Sequence, residues 1–190
     1  MKEQVRVLGI DDAPFHFKEG KVPVIGALMR GHDYLEAVMA TEVTVDGDDA
    51  DQAIERMIVG SRYMDQIGLV LIDGVALGGF NVVDIGSLHE RTGLPFATIT
   101  RDRPDLDAIR SALQKHFDDW QERMDVISRL SIHTIDTDFS PIFATFIGVD
   151  KATFELMVRR STVRGTIPEP LRVAHLIATA WVKGESHGRA

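Results

Sequence analysis

Residues 5–15 read VRVLGIDDAPF, and the fold of the chain is built outward from this stretch. Its run of apolar and β-branched residues predicts a buried strand. The strand ends in two adjacent acids, Asp11 and Asp12, and Pro14 follows them. Because Asp and Pro favour turns, the acids are either turn residues or the beginning of a cation site at a strand end.

The composition is that of a globular protein. The chain has 190 residues, 44% of them hydrophobic, which is enough for the core of a single domain over residues 1–190. It contains no cysteine, which excludes a disulfide framework, thiolate zinc and cysteine catalysis. The sequence has neither a signal-peptide pattern nor eighteen uninterrupted apolar residues. We therefore expect a soluble, cytoplasmic protein without a membrane partner.

The net charge of −8 argues against a protein that coats nucleic acid non-specifically, since phosphate binding depends on Lys and Arg. It is compatible with a nuclease in which a metal ion and a local basic rim contact the nucleic acid. The one basic concentration in the sequence consists of Arg159, Arg160, Arg164 and Arg172. Such runs are most often solvated faces.

The first half of the chain predicts a meander followed by a helix. VPVIGALMR and YLEAVMATEVTV, separated by GHD, indicate a second and a third strand, although YLEAVMA also fits a helix. DDADQAIERMIVGSRY then has helical spacing, with Asp49 as its cap. The predicted buried face of this helix consists of Ala50, Ala53, Ile54, Met57 and Ile58.

The second half alternates strands and helices. IGLVLIDG is a continuous apolar run, typical of a strand buried on both faces of a parallel sheet. LPFATIT predicts another strand, and PIFATFIGV a strand or a buried extended run. Helices are predicted over NVVDIGSLHERTG (capped by Asn81, ended by Gly93) and DKATFELMVRRS (capped by Asp150). DLDAIRSALQKHFDDWQERMDVISRL is also helical, as one segment or two. The last helix follows IPEP, and its predicted buried stripe consists of Leu171, Ala174, Ala178 and Trp181.

This order of elements predicts the fold class. A three-strand antiparallel meander followed by parallel strands, with helices on both faces, is an α/β mixed sheet with the order of the ribonuclease H-like fold. In that order the first and fourth strands are neighbours, and ligands gather beyond the carboxyl ends of such strands. Asp11 and Asp73 stand at these two ends. The topology therefore favours a cation site over two unrelated turns.

Four stretches of the sequence resemble a known family. LGIDDAPF, LVLIDGVALGGFNVVDIG, TGLPFATITRDRPDL and GTIPEPLRVAHLIA closely resemble a mainly archaeal family known as domain of unknown function 99, over essentially the whole chain. That family is in turn similar to endonuclease V, a magnesium-dependent nuclease of the ribonuclease H-like fold that acts on inosine-containing nucleic acid. The resemblance implies an endonuclease V-like fold, Mg²⁺ or Mn²⁺ as cofactor, and DNA or RNA as partner.

The likeness to endonuclease V implies roles for four residues. The tripeptide GID, ending at Asp11, and the dipeptide DG, beginning at Asp73, match two strand ends that bind metal in endonuclease V. PEPLRVAH matches a segment near the metal and implies His175 as a ligand or proton carrier. LPFATITR places Arg101 where endonuclease V has a catalytic-site Lys, and implies a contact with phosphate.

The chain departs from the endonuclease V pattern at three places. It lacks the metal-binding Glu that follows the third strand in an Arg-Glu-x-Pro context. Asp46, Asp48 and Asp49 lie in that region, and Asp46 is the candidate third metal ligand. Gly79 stands where endonuclease V has a His, and the Pro-Tyr-Ile-Pro wedge is absent. These departures imply a retained fold and part of a metal centre, with altered substrate recognition.

Each candidate residue also has a structural alternative. Asp11 and Asp73 are otherwise turn residues, and His175 is otherwise a packed or surface histidine. Arg101 is otherwise a surface partner of nearby acids, namely Asp102, Asp105 and Asp107. The expected function is a divalent-metal-dependent phosphodiesterase or nuclease. The alternative is a catalytically weakened or inactive member that binds a nucleic acid, a nucleotide or a protein partner. A further alternative is a metal-independent interaction protein.

Overall fold

A seven-stranded sheet lies at the centre of the computed structural model, which describes residues 5–17 and 20–186. Its strands are β1 (Arg6–Asp12), β2 (Lys21–Arg30), β3 (Tyr34–Thr44), β4 (Ile67–Asp73), β7 (Phe96–Thr100), β8 (His133–Ile135) and β9 (Ile142–Ile147). Two further short strands, β5 (Ala76–Leu77) and β6 (Asn81–Val82), pair with each other in a separate two-stranded sheet. The helices are α1 (Ala50–Val59), α2 (Ile85–Thr92), α3 (Leu106–His116), α4 (Trp120–Ser128), α5 (Lys151–Ser161) and α6 (Glu169–Lys183), with a 3₁₀ turn at Met64–Gln66. Within the described residues, no helix is long and apolar enough to cross a membrane.

The order of strands across the sheet is β3-β2-β1-β4-β7-β9-β8. The first three strands form the predicted antiparallel meander, and β3 is a strand rather than the alternative helix. Strand β4 then pairs parallel to β1, and β7 pairs parallel to β4. The apolar run over β9 is a strand antiparallel to β7, and the short edge strand β8 has no counterpart in the sequence prediction. The predicted mixed α/β sheet is confirmed.

Helices cover both faces of the sheet. Ile10 of β1 is paired with Gly26 of β2, and a Cβ on Gly26 would meet Met57 of α1, so α1 packs on that face. Successive residues of a strand point to opposite faces. Gly9 therefore looks to the other face, where a Cβ would meet the backbone of Pro170 in α6. The start of α6 lies directly on β1 because Gly9 has no side chain.

Most of the predicted helix faces are buried. The five predicted residues of α1 are buried, as are Leu171, Ala174 and Ala178 of α6. The prediction for Trp181 is wrong, since its side chain is 69% exposed. Trp181 lies in the last turn of α6, where the helix extends past the core that its earlier turns cover.

The predicted helix caps at Asp49 and Asn81 have different outcomes. Asp49 occupies the N-cap position of α1, but its carboxylate accepts the N–H and hydroxyl of Thr44 and makes no capping hydrogen bond to the helix. Asn81 lies in β6 and does not cap α2, which is capped by Asp84. Instead, Asn81 Oδ1 accepts the first N–H of α1, from Ala50, at 3.0 Å. The caps of α5 by Asp150 and of the end of α2 by Gly93 are confirmed.

Candidate functional site

Asp11 and Asp73 lie side by side at the carboxyl ends of neighbouring parallel strands. Ile10 of β1 is paired with Ile72 of β4, so the next residue on each strand is one of the two acids. Both acids point to the face opposite Ile10 and Ile72, which is the face that carries the start of α6. The parallel pairing of β1 and β4 therefore brings together two carboxylates that are far apart in sequence.

The carboxylate of Asp11 is buried and held by two donors. Its Oδ1 accepts the backbone N–H of Asp12 at 2.9 Å, and its Oδ2 lies 2.8 Å from Nδ1 of His175 on α6. Because a carboxylate accepts hydrogen bonds, Nδ1 of His175 carries the proton in this contact. The hydrogen bond to Asp11, together with the negative charges of Asp11 and Asp73, raises the pKa of His175 above its usual value.

The carboxylate of Asp73, unlike that of Asp11, is not stabilised by hydrogen bonds from the described residues. Burial, and then the negative charge of Asp11, raise the pKa of the Asp73 carboxyl to about 7, while Arg101 and His175 lower it. Within residues 5–17 and 20–186, the carboxylate has no hydrogen bond or ion pair. At neutral pH the charged form of Asp73 is therefore disfavoured, and a cation beside the carboxylate would favour that form.

Asp12 has a different role from that of Asp11. It points to the opposite face, and its Oδ2 accepts the N–H of Gly78 at 2.5 Å. Burial raises the pKa of the Asp12 carboxyl to about 6, and the Gly78 hydrogen bond acts against that shift. Asp12 thus attaches the loop after β4 to the end of β1, as expected for a residue that supports the turn.

Asp46, the candidate third ligand, is engaged in a turn. It has a left-handed backbone with φ of 55°, its N–H donates to the Gly78 carbonyl, and its Oδ1 accepts the N–H of Phe80 at 2.8 Å. Across the described parts of the chain, no three Asp, Glu or His side chains are grouped as a metal site. Asp11 contacts His175 and stands beside Asp73 on the neighbouring strand, whereas Asp46 remains in the adjacent loop.

The same loop explains the glycine that replaces a histidine of the endonuclease V pattern. Gly79 has φ of 92°, a conformation that side chains disfavour. A Cβ at this position would collide with Oδ1 of Asp46. The hydrogen bond from Phe80 to Asp46 therefore requires a residue without a side chain at position 79.

Arg101 follows β7 at the mouth of the site and is exposed. Its positive charge lowers the pKa of Asp73, which places the guanidinium within electrostatic reach of the carboxylate pair. Two of the three acids expected as surface partners are engaged elsewhere, because Asp105 caps α3 and Asp107 lies 3.7 Å from Arg110. Arg101 has no ion-pair partner among the residues that the structure describes, so it can receive an anion.

Two features of the site region have no clear signal in the sequence. Arg172, counted above in a basic concentration, instead forms a two-pronged ion pair with the buried Glu169, with distances of 2.6 to 3.0 Å. This pair fixes the first turn of the helix that carries His175. The buried Asn81 also donates to Thr44 O and Asp49 Oδ1, which joins β3, α1 and β6 beneath the loop of Asp46.

The strand order β3-β2-β1-β4-β7-β9-β8, with helices on both faces of the sheet, defines a mixed α/β protein whose strand-end acids Asp11 and Asp73 are neighbours. The chain belongs to the endonuclease dU family, whose model matches residues 3–182. UPF0215 proteins of Methanothermobacter thermautotrophicus and Methanosarcina barkeri are each 44% identical to it. The two alignments cover 100% of this chain, and 94% and 97% of the respective relatives.

Solved structures support the same fold. A protein of unknown function from Archaeoglobus fulgidus is 31% identical, with a TM-score of 0.84 over 97% of this chain and 99% of that one. Endonuclease V of Ciona intestinalis, in complex with a 24mer DNA containing an inosine followed by a ribo-adenosine, gives a TM-score of 0.60 at 11% identity. That match covers 92% of this chain and 84% of the other. At such low identity the likeness concerns the fold.

Proposed function

We propose that the chain is a divalent-metal-dependent endonuclease that hydrolyses a phosphodiester bond near a deaminated base, with deoxyuridine as the first substrate to test. The observation that carries the proposal is the meeting of Asp11, Asp73 and His175 on one face of the sheet. The description of the family as endonuclease dU supports this class of substrate. The likeness to an endonuclease V solved with inosine-containing DNA supports it as well.

The carboxylate pair fits a hard divalent cation such as Mg²⁺ or Mn²⁺. The carboxylate oxygens of Asp73 are half-buried and have no hydrogen-bond or ion-pair partner among the described residues. They lie next to the negative charge of Asp11. Magnesium is commonly bound by one or two carboxylates, with water and substrate phosphate as its other ligands. Asp11 and Asp73 would hold the ion, which would supply activation of water and stabilisation of the leaving oxygen.

The neighbouring side chains fit the proton and charge requirements of phosphodiester hydrolysis. Asp11 fixes the orientation of His175 through Nδ1, which leaves Nε2 of the imidazole to accept or donate a proton. Arg101 at the mouth of the site would offset the charge of the phosphate. Its guanidinium remains protonated, so Arg101 acts through charge and not as a base.

The test is cleavage of matched oligonucleotides that carry one deoxyuridine, one deoxyinosine or one thymidine, as single strands and as duplexes, with RNA counterparts. We expect cutting of the deoxyuridine substrate with Mg²⁺ or Mn²⁺, and none with a chelator. Asp11→Asn and Asp73→Asn should each abolish the cutting, whereas the exposed control Asp138→Asn should cut like the wild type. Activity that survives both site substitutions would overturn the mechanism.

One observation favours a second candidate function, a family member that binds nucleic acid without cutting it. Asp46 is engaged with Phe80, and a third acid is not grouped with Asp11 and Asp73 within residues 5–17 and 20–186. Fluorescence anisotropy on the same oligonucleotides separates the two functions. Tighter binding of deoxyuridine than of thymidine DNA, without product at any metal concentration, would favour the binding protein.

A further inference from the structure

A second concave site lies at the opposite end of β1 from Asp11. A cavity of about 410 Å³ opens between the end of α5, the start of β1 and the turn from β2 to β3. Its lining includes Val5, Val7, His32, Arg159, Arg160 and Ser161. From Val7 to Asp11 the strand rises about 13 Å, so the cavity is separate from the carboxylate pair. Its size is within the range of small-molecule sites.

The polar lining of this cavity is basic, although the protein is acidic. Arg159, Arg160 and His32 line it, and the lining contains no Asp or Glu. In the described part of the chain, these three side chains have no ion-pair or hydrogen-bond partner. Basic residues in the last turn of a helix also interact favourably with the helix dipole, so the two arginines alone do not define a site.

Ser161 supplies an independent observation. The residue is only 3% exposed, yet its hydroxyl has no hydrogen-bond partner among the described residues. Among the described residues, Thr179 Oγ1 is the only side-chain nitrogen or oxygen that is fully enclosed and lacks a hydrogen-bond partner. Ser161 Oγ also lacks a partner, so it is not fully enclosed and is open to the cavity. Buried hydroxyls are normally hydrogen-bonded, and the group that completes the bonding of this one, a ligand or water, must come from the cavity.

We propose that this cavity binds the terminal phosphate of a nucleotide-sized ligand. Arg159, Arg160 and His32 offset the charge of the phosphate, and Ser161 Oγ donates a hydrogen bond to one of its oxygens. Val5, Val7, Met157 and Val163 offer an apolar surface to the nucleoside. The inference is independent of the nuclease function, because it uses none of the residues at the carboxyl ends of β1 and β4.

Calorimetric titration with dUMP, deoxyuridine and inorganic phosphate tests the inference, in chelator so that the carboxylate pair holds no metal. We expect dUMP to bind at least ten-fold more tightly than deoxyuridine. Arg159→Gln/Arg160→Gln should weaken dUMP binding at least ten-fold, and Ser161→Ala several-fold. The matched control is Arg56→Gln/Arg62→Gln, since Arg56 lies in the last turn of α1, and it should bind dUMP like the wild type. Thermal unfolding would verify that each variant is folded.

A 5′-phosphorylated trinucleotide separates the two sources of a terminal phosphate. Tighter binding of the trinucleotide than of dUMP assigns the cavity to strand ends, and equal or weaker binding assigns it to free nucleotides; either result supports the site. The proposal is overturned if wild-type protein binds neither compound, or if Arg159→Gln/Arg160→Gln binds both as well as the wild type does. Loss of nuclease activity in Asp73→Asn without loss of dUMP binding would show that the two sites are separate.

Discussion

Nδ1 of His175 lies 2.8 Å from Oδ2 of Asp11, although the two residues are 164 positions apart in the chain. The contact joins α6 to the carboxyl end of β1. The Asp11 side chain is 7% exposed and that of His175 is 35% exposed, so the imidazole reaches from a buried anchor toward solvent. This geometry fixes one ring nitrogen and leaves the other for a substrate, which gives His175 an expected role in proton transfer.

His175→Ala should lower kcat for cleavage by about 10² to 10⁴, the usual contribution of a positioned acid or base. The affinity for uncut oligonucleotide should stay close to that of the wild type, because the proposed role concerns the transition state. Single-turnover kinetics and anisotropy measure the two quantities separately. His116→Ala, an exposed histidine at the end of α3, is the control. A His175→Ala protein that cuts at the wild-type rate would remove His175 from the mechanism.

Asp73→Asn should stabilise the metal-free protein while it abolishes cleavage. The substitution removes a half-buried carboxylate that burial and Asp11 both disfavour in its charged form. In chelator at pH 8 we expect Tm to rise by several degrees, since about 1 kcal/mol corresponds to about 2 to 4 °C in a protein of this size. Mn²⁺ should raise Tm of the wild type and leave that of Asp73→Asn nearly unchanged. Equal stabilisation of both proteins by Mn²⁺ would place the ion elsewhere.

The sheet could be predicted from the sequence because its signals are local. Apolar runs such as those of β1 and β4 determine strands, and the order of strands and helices determines which strands are neighbours. The proximity of Asp11 and Asp73 follows from that topology alone. The positions of the metal-site candidates at strand ends therefore needed no knowledge of side-chain contacts.

The loop beside the site could not be predicted, because its contacts join distant residues without a periodic pattern. Asn81 Oδ1 accepts from Ala50, 31 positions away, and Nδ2 donates to Thr44, 37 positions away. An Asp before a helix is ordinarily read as a cap, yet Asp49 is held by this network. Its place in the chain likewise predicts Asp46 as a metal ligand, whereas its carboxylate accepts the N–H of Phe80.

Asp51→Asn should change how stability depends on pH. Burial raises the pKa of Asp51 from an ordinary value of 3.8 to about 6 in the folded protein. The favourable contribution of the protonated carboxyl is therefore complete below about pH 4 and is lost as pH rises through about 6. In the wild type, Asp51 Oδ1 accepts the backbone N–H of Asp84 at 2.9 Å. The amide oxygen of an Asn at position 51 can accept the same hydrogen bond.

Above pH 6, Asp51→Asn should accordingly be more stable than the wild type, and the difference should shrink toward pH 4. Urea unfolding at half-unit steps from pH 4 to pH 8 measures this dependence. Asp138→Asn, which removes an exposed carboxylate, should follow the wild-type curve. A constant offset between Asp51→Asn and wild type over the whole range would contradict the raised pKa.

Gly9→Ala should move His175 on α6 away from Asp11 on β1. A Cβ at position 9 would lie closer than 3.0 Å to backbone atoms of Pro170 and Leu171, which cannot move aside as a flexible side chain can. The start of α6 must then shift away from β1, and His175 moves with it, away from Asp11. We expect a loss of about 3 kcal/mol in the free energy of unfolding, and a loss of cleavage at temperatures where the variant remains folded.

Gly26→Ala is the matched control for this change, since Gly26 lies in the adjacent strand with its open side toward α1. A Cβ there would meet the ends of Leu8 and Met57 at 3.2 Å, and these side chains can adjust. Gly26→Ala should therefore cost less than about 1 kcal/mol and keep its cleavage rate, because α6 stays in place. If Gly9→Ala and Gly26→Ala had the same free energy of unfolding and the same cleavage rate, the close packing of α6 on β1 would not determine the position of His175.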